Sequence, residues 1–202
     1  MNYLKNTVSF LAITALIFIT SCKKEDDKKD VTIPPIINPE EQITTVILKG
    51  YDENNPNDIS RQFAIKWEDM DGTGGNAPII DSLVLDTGTQ YRVQVLLLDK
   101  TKTPWDTISN EVEKEKNVHQ FFYTPSVSVN GKMEVEVLDF DDNIPKLPVG
   151  LAFLMNIAAE PTFAIPLVGK LGVVLSHYDG IPKTITPSPE SDIDIVFPVK
   201  LK

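Results

Sequence analysis

The sequence predicts an all-β protein, an antiparallel β-sandwich of the immunoglobulin-like kind with eight or nine strands and one short helix. Three observations carry this. From Ile43 onward apolar residues recur with a period of two, the mark of strands with one face buried. Turn-forming clusters punctuate these runs at short, regular spacing. Only one segment carries a helical pattern, and its apolar stripe is thin.

The strands follow in chain order. Ile43, Thr45 and Ile47 alternate with Thr44, Val46 and Leu48, and Phe63, Ile65 and Trp67 alternate with Gln62, Ala64 and Lys66. Tyr91 to Leu98, Met133 to Leu138 and Asp192 to Phe197 alternate in the same way. Leu83 to Leu85, Gly150 to Ile157 and Leu171 to Ser176 are more continuously apolar. They read as central strands covered on both faces. Between the runs stand Asp52-Glu53-Asn54-Asn55-Pro56-Asn57, Asp71-Gly72-Thr73-Gly74-Gly75-Asn76, Thr87-Gly88, Asn130-Gly131 and Asp141-Asp142-Asn143. Asn130-Gly131 between two apolar runs is a strong hairpin signal. The helical segment is Thr107 to His119, with Ile108 and Val112 on one side and Glu111, Glu113, Lys114, Glu115 and Lys116 on the others. Thr107 or Ser109 is the expected cap, and His119 is expected at the helix end. The spacing suits a short crossover on one edge of the sandwich.

The N-terminus has a different character. Val8 to Ile19 is an apolar run of 12 residues after the single charge of Lys5, too short for a membrane-spanning helix of roughly 20 but suited to a secretory signal. Residues 22–42 combine the charge run Lys23 to Asp30 with Pro34, Pro35 and Pro39. Proline opposes helix and favours extended backbone, so this stretch reads as an acidic, proline-rich tether, spanning roughly 60 Å when fully extended. The expected organisation is therefore a signal peptide at 1–21, a tether at 22–42 and the sandwich at 43–202.

Ile19-Thr20-Ser21-Cys22 resembles the lipobox of bacterial lipoprotein signals: an aliphatic residue, two small residues and a cysteine. That resemblance implies cleavage before Cys22 and acylation of Cys22, including diacylglyceryl transfer to its thiol. Several acyl chains on one residue anchor a protein stably where one chain is marginal. Lys24-Glu25-Asp26-Asp27 is similar to the charged signal that follows the cysteine in surface-exported lipoproteins of Bacteroidetes. The expected location is the outer membrane, lipid-anchored, on its periplasmic or cell-surface side, with the surface favoured.

Composition limits the function classes. The net charge is -10, and an acidic surface repels nucleic acid and anionic membranes. Cys22 is the sole cysteine, so no internal disulfide staples the fold. No Gly-x-Ser-x-Gly elbow and no phosphate-binding glycine loop ahead of a helix is present. With no recognisable catalytic constellation, the chain is expected to be a non-enzymatic binding module, with an accessory envelope component as the alternative and a small hydrolase as the third reading.

Two sets of residues are candidates for binding. Asp69, Asp71 and Thr73 alternate in a loop rich in glycine, as the first oxygen ligands of a calcium loop do. The twelfth position, where an EF-hand carries a bidentate acid, is Ile80, and turn capping by the acids explains the loop equally. Trp105, Trp67 and Tyr123 are the aromatic candidates for a glycan, peptide or protein ligand, with core packing as the competing role. His119 and His177 lie far apart in sequence, without the short-spaced pair that zinc sites usually show.

The segments Glu41 to Val46, Asp69 to Pro78, Val118 to Tyr123 and Asp192 to Val199 resemble a family of small Bacteroidetes lipoproteins, often labelled as type 1 periplasmic-binding-fold proteins. That label implies two α/β lobes with parallel sheets and many helices, against the all-β pattern of the residues. The family has no assigned activity, so the resemblance implies location and domain extent.

Overall fold

Alternating residues sort themselves across a sheet, and in this chain the sorting is nearly complete. The structure is a computed structural model describing residues 42–72, 74–159 and 163–202. The expected signal peptide, Cys22 and all but the last residue of the expected tether lie outside them. All described residues belong to the compact unit Asn38–Lys202.

Ten strands form: β1 (Thr45–Asp52), β2 (Phe63–Glu68), β3 (Ile79–Ile80), β4 (Leu83–Leu85), β5 (Gln90–Leu98), β6 (His119–Pro125), β7 (Met133–Val137), β8 (Ala152–Ile157), β9 (Leu167–His177) and β10 (Ser191–Leu201). One sheet has the order β3-β2-β1-β5-β8-β7 and the other β4-β10-β9-β6. All neighbours are antiparallel except β4 and β10, which run parallel. The sandwich class holds, with ten strands in place of eight or nine. The added strand is β3, a two-residue pairing with Trp67 and Glu68. The two-lobed α/β architecture implied by the family label is not the fold of the described residues.

The core is what the alternation supplies. Val46 and Leu48 of β1, Tyr91, Val93, Val95 and Leu97 of β5, and Phe153, Met155 and Ile157 of β8 face inward from one sheet. Leu171, Val173 and Leu175 of β9 and Ile193, Ile195, Phe197, Val199 and Leu201 of β10 face them from the other. Each such side chain contributes about 1.5–3 kcal/mol by leaving water, and the described unit has no disulfide to add to it. Gly50 stands opposite Phe63. A Cβ on Gly50 would lie 2.3 Å from that ring, so the glycine is what lets Phe63 lie across the sheet and meet Tyr91 edge-on at 5.7 Å.

Five expectations are corrected. Leu83 to Leu85 is an edge strand, not a central one: Leu83 and Leu85 are buried while Val84 is exposed. Asn130-Gly131 does form a turn, with Gly131 at φ 71°, but it joins β6 of one sheet to β7 of the other and makes no hairpin. The helix, α1, is only Ser109–Lys114. Neither expected cap operates: Ile108 takes the cap position without a side-chain bond, and Ser109 Oγ instead accepts from Leu97 N at 2.8 Å. His119 does not end the helix but opens β6, fully buried. Among the described residues no helix is long and apolar enough to cross a membrane.

Candidate functional site

Strand parity places two histidines on the inner face. His119 shares the parity of Phe121 on β6, and His177 that of Leu175 on β9. The strands pair antiparallel with His119 directly opposite His177. The two rings stack with centroids 4.4 Å apart and planes at 30°.

Asp192 joins them from β10. Strict alternation would turn it to solvent, as it turns Asp194. The β9–β10 register shifts between Ser191 and Ile193, and the extra residue of such a bulge re-aims its side chain. The Asp192 side chain is 1% exposed, with Oδ2 3.5 Å from His119 Nε2 and Oδ1 3.5 Å from His177 Nδ1. Neither carboxylate oxygen accepts a hydrogen bond. His119 Nδ1 lies 3.2 Å from the Glu115 carbonyl. A carbonyl only accepts, so Nδ1 carries the proton of that bond. The three donor atoms lie within 4.8 Å of one another, a set able to hold a metal ion. It is the one such group among the described residues.

The sequence held half of this signal. Parity alone sends both histidines inward, but nothing in a sequence reports that β6 pairs with β9 in this register. The bulge at Asp192 left no mark either.

A second feature crosses the outer face of the six-stranded sheet. Two adjoining hollows of about 410 and 450 Å³ share Lys49 and Gln94, which are cross-strand partners. The first is bounded by Asn110 and Glu113 of α1 and by Phe140, and the second continues past Tyr51 to Gln62. Its polar groups are amides, charged side chains and the hydroxyls of Ser109 and Tyr51. Asp139, also at its border, is committed elsewhere: its carboxylate accepts from the amides of Gly150, Leu151 and Ala152 at 2.9–3.1 Å.

The predicted residues separate. Trp105 is 62% exposed in the loop between β5 and α1, with Lys100 Nζ 4.9 Å from its ring centroid. Trp67 is half-buried against the core. Tyr123 is half-buried against the core: its ring packs on Phe121 and Phe153, its hydroxyl donates to the Gly150 carbonyl, and burial pushes its pKa well above 10. The three rings sit on β2, a loop and β6 and form no shared platform. In the acidic loop, Asp69 Oδ1 accepts from Gly72 N at 2.8 Å, and Asp71 Oδ2 from Asn76 N at 3.0 Å. Thr73 lies outside the described residues.

Fold and site together define a ten-stranded β-sandwich with a buried His–His–Asp cluster and an open groove. Comparison with family models, curated proteins and solved structures gives no match to this chain.

Proposed function

We infer that this chain is a lipid-anchored protein of the bacterial outer membrane, non-enzymatic, whose sandwich binds a ligand or partner at the cell surface. The observation that carries the binding role is the groove across the open face of the six-stranded sheet. It offers ammonium, amide and carboxylate groups beside the exposed ring of Phe140, a mixture suited to a polar chain such as a glycan or a peptide. Ser109, one of two hydroxyls in its wall beside Tyr51, is bonded to the Leu97 amide, and among the described residues no histidine or cysteine lines it.

Glycan and peptide arrays probed with residues 38–202 test this. Binding of one class, weakened tenfold or more by Gln94→Arg without change in melting temperature, is the expected result. Binding that ignores the substitution removes the groove from the reading. The anchor is tested in cells: Cys22→Ala should shift the protein from the membrane to the soluble fraction and abolish incorporation of a labelled fatty acid. Unchanged membrane recovery would refute the anchor.

A second reading, a component of an envelope assembly, has one observation in its favour. Ile79 and Ile80 are exposed on the edge strand β3, and such an edge invites strand pairing with a partner. Pull-down of a stoichiometric envelope protein, lost on Ile80→Lys, would favour it.

A further inference from the structure

We propose that His119 Nε2, His177 Nδ1 and the Asp192 carboxylate form a binding site for a divalent transition-metal ion, zinc being the type, which ties β6, β9 and β10 together. The proposal is independent of the groove and of the lipid anchor.

Distance decides between a metal site and a hydrogen-bonded network. Hydrogen bonds from nitrogen to oxygen span about 2.7–3.2 Å. Both His–Asp separations here are 3.5 Å, longer than that range. Two ligands bound to one tetrahedral zinc at about 2.0–2.1 Å stand roughly 3.3–3.4 Å apart; both His–Asp separations are close to this value, and the three donor atoms all lie within 4.8 Å of one another. The carboxylate points the same way. A buried carboxylate needs a hydrogen-bond partner, a charge partner or a metal, and both Asp192 oxygens lack a hydrogen bond at 1% side-chain exposure, with the two imidazoles at 3.5 Å.

The outer shell is also in place. The Glu115 carbonyl holds the proton of His119 on Nδ1, so in the neutral ring Nε2 carries the lone pair, and Nε2 is the atom that faces Asp192. A backbone carbonyl fixing the tautomer of a ligating histidine is the usual second-shell arrangement. Two imidazoles and one carboxylate suit zinc, iron or nickel, whereas calcium and magnesium take oxygen ligands. Three protein ligands leave the fourth position to water or another donor. The ligands come from three adjacent strands of one sheet, so the ion would act as a cross-strand tie, and binding only the folded chain would raise its stability.

The test uses the full chain in detergent, stripped with a strong chelator and titrated with zinc chloride by calorimetry, with metal content and melting temperature followed in parallel. One zinc per chain at sub-micromolar Kd and a higher melting temperature are expected. Affinity should fall about 100-fold or more in His177→Gln and in Asp192→Asn, and millimolar calcium should not compete. No zinc uptake by the wild type, or uptake unchanged in both variants, overturns the proposal, the latter placing the ion on surface carboxylates. Should the variants fail to fold, cobalt(II) bound to the wild type decides. Intense visible bands of a four-coordinate ion support the site, and a spectrum like that of aqueous cobalt overturns it.

Discussion

Glu68 illustrates how much one partly buried carboxylate can be asked to do. Its Oε1 meets Lys66 Nζ at 2.8 Å, its Oε2 pairs with Lys100 Nζ, and Thr45 Oγ1 donates to Oε2 at 3.3 Å. Lys100 in turn lies beneath the Trp105 ring, which gives that exposed tryptophan a packing role of its own. The hydrogen bonds from Lys100 and Lys66 hold the Glu68 pKa down to about 2, against 4.5 for an unperturbed glutamate. A carboxyl depressed in the folded state stabilises the fold above its unfolded pKa, and that contribution drains away as pH falls from about 4.5 to about 2. With 14% of the side chain open to solvent, the contribution at neutral pH is about 1–2 kcal/mol after screening. Glu68→Gln should therefore lose that amount in urea denaturation at pH 7. The gap to the wild type should close towards pH 2. A gap that stays constant across this window would show that charge is not what Glu68 contributes.

Elements were readable where the two faces of a strand differ and unreadable where pairing decides. In β10 the inward set Ile193, Ile195 and Phe197 is buried while Asp194 and Val196 are exposed, which is the order the sequence alternation implies. Leu83 to Leu85 looked central because three consecutive apolar residues carry no information about neighbours. Its exposed Val84 is the cost of sitting at an edge. Asn130-Gly131 specifies a local turn whether the following strand pairs with the preceding one or crosses to the other sheet, so the hairpin inference was one step too long. The candidate metal cluster needed three non-local facts at once: β6 beside β9, their register, and the bulge in β10. Local propensity encodes none of them, since non-local pairing is set by the packing of the whole core. The groove depends likewise on β1 lying next to β5, so Lys49 and Gln94 were unremarkable as sequence.

At the scale of the molecule, three connecting segments are fastened to one another by a buried ion pair. Lys183, between β9 and β10, reaches Asp141, between β7 and β8, at 3.2 Å and donates to the carbonyl of Lys116, between α1 and β6, at 2.9 Å. The two side chains are 1% and 0% exposed. Burial lowers the Lys183 pKa against the opposing pull of Asp141. Burial would raise that of Asp141, but the Leu147 amide, Asn143 and Lys183 together hold it below its ordinary value. Asn143 Nδ2 donates to Asp141 Oδ2 at 2.8 Å and also reaches the Asn117 carbonyl, so the pair is embedded in a network that spans both sheets' connections. Removing one partner strands a charge without water, which costs about 3–5 kcal/mol, a large fraction of the roughly 5–15 kcal/mol that holds a domain together. Lys183→Met should thus lower stability by about that amount in chemical denaturation. Adding Asp141→Asn to it should recover part of the loss: the amide sheds the charge and keeps an oxygen for the Leu147 and Asn143 backbone donors, while its nitrogen replaces the acceptor of Asn143 Nδ2. A double variant no more stable than Lys183→Met alone would mean that the three segments are held by the shape of the network, and that the ion pair itself is incidental.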